Sequence, residues 1–133
     1  MFEILPHTAD FKVKFAGENF PALISSVFDF YFNQTIANNC DKNEIKETLK
    51  IEDEKFEFLV VRLINELIFY KEIGKLVKNF EIIEINENFL EINLFLSQCE
   101  FIEFKNDFKS ATYHNLELKN SNNNYELTVV IDV

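Results

Sequence analysis

The sequence predicts an α+β fold in which two helices pack on a mainly antiparallel sheet. Two stretches carry apolar residues at helical spacing, several others alternate apolar with polar residues, and together they run β-α-β-α-β-β-β-β along the chain. Two of the connections have the turn residues of hairpins.

The first strand is read from Phe11-Lys12-Val13-Lys14-Phe15, which alternates apolar and basic and is ended by Gly17. Asn19 is placed to cap the helix that follows, and Pro21 falls in its first turn, where a missing N–H costs little. Phe20, Ile24, Val27, Phe28, Tyr31 and Phe32 then recur along one helical face, so a helix is predicted over 20–32. The polar stretch 33–43 reads as a connection, and 44–51 as an edge strand through Ile45, Leu49 and Ile51. Asp53 is read as the cap of a second helix with Phe56, Val60, Leu63, Leu67 and Tyr70 on one face. Lys71 in its last turn and Gly74 just beyond suit a helix C-terminus. Strands 80–85 and 90–96 flank the turn Asn86-Glu87-Asn88. The segment 101–107 reads as a loop, and 109–118 with 125–133 as a last hairpin around Asn120-Ser121-Asn122-Asn123-Asn124.

At 133 residues the chain has the size of one domain, taken as 1–133, since domains usually run to about 100–200 residues. With 47% hydrophobic and 27% charged residues it has the composition of a soluble globular protein rather than a disordered one. Acidic residues number 23 against 13 basic, a net charge of −10 that argues against a free-standing DNA or RNA binder and against docking on an anionic membrane. The 16 Phe fall mostly at core-periodic positions, which favours packing over a base-stacking face. Cys40 and Cys99 are far apart and show neither a zinc spacing nor a disulfide framework. The opening Met1-Phe2-Glu3-Ile4 has no basic region or apolar core of a signal peptide, and no uncharged apolar run nears the roughly 20 residues of a membrane span, so a cytoplasmic location is expected.

Three clusters could carry chemistry. At the end of the chain Asp132 adjoins the α-carboxylate of Val133 after a strongly apolar strand; the pair is either a solvated tail or two oxygen donors held by a docked strand. His7-Thr8-Ala9-Asp10 is either a turn, with Asp10 bonding local backbone, or a ligand pair in which His7 binds or orients. In the run 107–114, Lys109 could anchor an anion, and His114 is a base, a ligand or a strand-edge histidine. Cys40 could pair with either histidine as a nucleophile, but no local signature surrounds it. GxSxG and HExxH are absent, and two glycines cannot build a phosphate-cradling loop.

Taken together, the HTAD start, the helical run Arg62-Leu63-Ile64-Asn65-Glu66-Leu67-Ile68-Phe69, the run Lys109-Ser110-Ala111-Thr112-Tyr113-His114 and the closing Val130-Ile131-Asp132-Val133 resemble the archease family over essentially the whole chain. The resemblance implies a small cytosolic protein, not itself an enzyme, that activates an RtcB-type GTP-dependent RNA ligase. In that role it promotes guanylylation of the ligase and multiple turnover in tRNA splicing and RNA repair. It also implies a metal site of Asp10, Asp132 and the Val133 carboxylate, a role in activation for Lys109, and RNA met only through the ligase. His7 would bind in the site or orient Asp10. The segment 97–107 departs from the family pattern by lacking its glycine and Arg-His, and Asp107 stands where a Glu is usual.

The chemistry of those residues is consistent with the implied site. Carboxylate oxygens are hard donors that favour Ca²⁺, with Mg²⁺ or Mn²⁺ as alternatives, over zinc. Three residues leave part of a shell of about six to eight positions for water or a partner. A chaperone-like modulator of nucleic-acid enzymes, and a metal-dependent hydrolase using Asp10, Asp132 and a histidine, are the competing readings.

Overall fold

The computed structural model describes residues 1–6 and 10–133. Among them the chain forms β1 (Phe2–Leu5), β2 (Phe11–Gly17), α1 (Phe20–Gln34), β3 (Thr35–Cys40), β4 (Ile45–Glu52) and α2 (Phe56–Glu72). Then follow β5 (Lys75–Ile85), β6 (Phe89–Phe104), β7 (Ser110–Ala111), β8 (Glu117–Ser121) and β9 (Asn124–Asp132). The fold is α+β, with every strand pairing antiparallel. The strands divide into two sheets, one ordered β1-β2-β9-β7 with β8 also on β9, the other built on the long strand β6 flanked by β3, β4 and β5.

Both helices start as their chemistry dictates, with one shift. The Asn19 side chain accepts the Ala22 N–H at 2.8 Å and caps α1. Asp53 does not cap α2: the flanking residue is Lys55, while the Asp53 carboxylate accepts the Glu54 N–H at 2.8 Å and lies 3.5 Å from Arg62. At the far end Gly74 takes φ of +79°, the left-handed conformation that a glycine adopts without a Cβ penalty. Gly17 serves by size instead, since a Cβ there would stand 2.5 Å from the Leu23 nitrogen in the first turn of α1.

The core fills with alternate residues of the sheets and one face of each helix. Phe15, Phe28, Leu63, Ile92, Leu127 and Ile131 are fully buried. Aromatic rings join the layers: Phe28 of α1 stacks on Phe80 of β5, and Phe20 on Phe56 across the two helices, each pair with ring centroids 4.0 Å apart.

Three differences from the sequence reading share one cause, which is that exposed strands lack a buried face to reveal them. β1 lies in a stretch given no element in the sequence reading, and β3 and the last third of β6 in stretches read as a connection and a loop. The predicted strand 109–118 is interrupted, with β7 and β8 pairing separately to β9. Asn122 and Asn123 make the tight turn between β8 and β9, both at positive φ. The cysteines are also corrected: Cys40 and Cys99 face each other across β3 and β6, Cα atoms 3.9 Å apart, and are joined as a disulfide. The pairing was hidden because Cys40 ends a strand in the stretch read as a connection. With both thiols in the bridge, a Cys40 nucleophile is ruled out.

Candidate cation site at the joined ends of the chain

Pairing of β2 with β9 determines where the candidate residues sit. Phe11 is the register partner of Ile131, Val13 of Val129 and Phe15 of Leu127, and all six side chains are buried. Asp10 directly precedes Phe11 and Asp132 directly follows Ile131, so the antiparallel ladder carries both aspartates to the same end of the sheet. Asp10 is half-buried, while Asp132 and Val133 are exposed.

The third strand brings in Lys109. Its N–H donates to the carbonyl of Asp132 at 2.8 Å, and the next two residues pair as Ser110 with Asp132 and Ala111 with Ile131. Beyond them the Thr112 N–H and hydroxyl both bond the Val130 carbonyl, at 2.9 and 3.0 Å. Beneath these polar residues lies an apolar plug made from their immediate neighbours. Phe108, only 6% exposed, meets Phe11 edge-on at 4.9 Å and packs against Phe30 and Phe104 at 5.6 and 5.5 Å. Burying a side chain of this size stabilises by roughly 1.5–3 kcal/mol. Residues adjoining Asp10, Lys109 and Asp132 are thus anchored in one core.

What gathers here is a lysine, an aspartate just before β2, an aspartate at the end of β9 and the adjoining Val133. Among the described residues no group of three or more His, Cys, Asp or Glu is close enough to hold a metal ion by itself. The donor set of the sequence reading differs from such a group, because its third member is the main-chain carboxylate of Val133. In chemistry the set fits a hard divalent cation, all its atoms being carboxylate oxygens. His7 lies outside the described residues. His114 is exposed, its ring 3.2 Å from the Asn115 side chain. Below the plug an apolar cavity of about 20 Å³, bordered by Tyr31, Gln34, Phe104, Phe108 and Ile131, has room for about one water molecule.

Two neighbours went unassigned in the sequence. Ser110, as the register partner of Asp132, shares its face of the sheet, and Asn65 of α2 bonds the backbone of Ala111. Both stand inside runs that carry the family resemblance, but their roles follow only from the pairing of β7 and the bonds of Asn65 to it.

Comparison with known proteins places this architecture. The model of the Archease protein family matches residues 2–133. Protein archease of Methanosarcina mazei is 26% identical over 139 residues, covering 99% of this chain and 95% of that protein. Protein archease of Sulfurisphaera tokodaii is 26% identical over 137 residues, covering 99% and 98%. In fold, the chain is similar to the crystal structure of a Thermotoga maritima archease described as a possible chaperone, with a TM-score of 0.68 at 16% identity over 98% of this chain and 96% of that one. It is also similar to the solution structure of a Methanobacterium thermoautotrophicum protein, with a TM-score of 0.66 at 17% identity over 99% and 98%.

Proposed function

The chain belongs to the archease family, and on that premise we propose that it is a cation-binding protein cofactor of an RtcB-type RNA ligase, promoting guanylylation of the ligase and its multiple turnover. The observation that supports this reading is the register of Phe11 with Ile131, which carries Asp10 and Asp132 to one end of the sheet. In this reading Asp10, Asp132 and the Val133 carboxylate hold Ca²⁺, or Mg²⁺ or Mn²⁺ in its place, and Lys109 beside Asp132 contacts the ligase. His7 binds or orients from the adjoining segment. When bound, the cation supplies charge neutralisation and open coordination positions for a partner's oxygen atoms. The chain's own residues align the donors, keep the apolar plug closed beneath them and present Lys109 as a cationic anchor. RNA is met only through the ligase, and the protein carries out no turnover of its own in the cytoplasm where both act.

The test is the substitution Asp132→Asn, read by guanylylation of the ligase. Activation is expected to fall by roughly tenfold or more, the usual scale for loss of a metal-site interaction. Activation equal to the parent protein would overturn the reading. The words "possible chaperone" attached to the Thermotoga maritima structure favour a second reading, a chaperone-like modulator. A general chaperone has no use for a cation site, so an Asp10→Asn protein that keeps full activity would favour that reading.

A further inference from the structure

β7 is two residues long, too short to be stable as an independent strand, yet it carries the backbone that pairs with Asp132. On one side it is held by β9. Elsewhere both main-chain polar groups of Ala111 are satisfied by a single side chain of α2. Asn65 Oδ1 accepts the Ala111 N–H at 2.7 Å, and Asn65 Nδ2 donates to the Ala111 carbonyl at 3.2 Å. A side-chain amide offers the same donor and acceptor as a peptide group, so Asn65 stands in for a missing strand neighbour. The helix beneath is fixed by Ile64, Leu67 and Ile68, all buried, so Asn65 is presented from a rigid element.

We propose that Asn65 is a positioning residue that keeps Lys109 and Ser110 paired with Asp132 and thereby sets the cation affinity of the chain end, an inference that rests on the cation reading above. The amide couples α2 to the site without touching the cation, as hydrogen-bond partners of metal ligands do in general.

The experiment compares Asn65→Ala, Asn65→Asp, Ile64→Val and Asp132→Asn with the parent chain. It measures amide hydrogen exchange without added cation, terbium titration by luminescence, and the thermal midpoint. Asn65→Ala is expected to raise exchange at Lys109, Ala111 and Thr112 by on the order of tenfold, and to weaken terbium binding by roughly ten- to a hundredfold. Ile64→Val is expected to lower the midpoint with neither effect. Asn65→Asp keeps the acceptor for the Ala111 N–H and loses the donor to the Ala111 carbonyl, so Ala111 should stay better protected than in Asn65→Ala, a partial rescue that general loosening of the core does not give. Unchanged exchange at 109–112 in Asn65→Ala overturns the proposal, as does an equal terbium loss in Ile64→Val. If Asp132→Asn binds terbium as the parent does, the cation reading fails, and the exchange data still decide whether Asn65 holds β7.

Discussion

Tyr31 shows how one buried group links packing to pH. Its ring is 3% exposed, and its phenol oxygen accepts the Val77 N–H at 3.0 Å. Burial pushes the phenol up from 10.0 to about 12. Tyr70 is also pushed up to about 12, by burial first and then by the carboxylates of Glu47 and Glu66. A folded value above the unfolded one means the native state holds its proton more tightly. The contribution is therefore complete below pH 10 and is lost as pH rises toward 12, at about 1.4 kcal/mol per pH unit for Tyr31. Urea midpoints measured from pH 9 to 12 are expected to fall steeply above 10, and Tyr70→Phe to give a shallower fall. Parallel slopes would contradict the account of Tyr70. The same scale explains why part of the site was hard to read. Asp10, Lys109 and Asp132 stand out because the family resemblance assigns them roles, whereas Ser110 and Asn65, though inside the same motif runs, gain a role only from partners distant in sequence.

At the scale of elements, the join of β2 to α1 depends on the absence of one atom. A Cβ on Gly17 would lie 2.5 Å from the Leu23 nitrogen and 2.6 Å from the Ala22 carbonyl carbon, both backbone atoms that cannot step aside. Gly17→Ala is expected to cost about 1–3 kcal/mol through overpacking, read as a lower thermal midpoint. A midpoint equal to the parent's would show that the first turn of α1 yields. Elements with one apolar face were legible: α1, α2, β2 and β9 all follow their periodicity. β3 was not, because Thr-Ile-Ala-Asn-Asn-Cys offers no alternating buried face and is held chiefly by pairing with β6. Nor was the cap of α2, where Asp53 answers to Arg62 rather than to the helix.

For the whole molecule, charge and topology matter more than any single contact. Under the proposed ligase reading, a net charge of −10 would steer this protein toward a basic partner over long range. Raising salt from about 0.05 to 0.5 M is expected to weaken that association by roughly tenfold, as the Debye length shrinks. The check is the concentration of this protein that half-activates the ligase at each salt level; identical values would remove electrostatics from the account. Composition revealed the charge, but not the division into two sheets, which depends on β6 being long enough to pair with three other strands.

β9 lies between β2 and the β7–β8 side of its sheet, yet it is the last of these strands to be made. During synthesis α1 can cover the Phe11 and Phe15 side chains early, but the edge of β2 that β9 pairs with must stay open until residues 124–132 are made. Nascent chains stalled before residue 124 should accordingly be more protease-sensitive, and stickier, than chains allowed to run on.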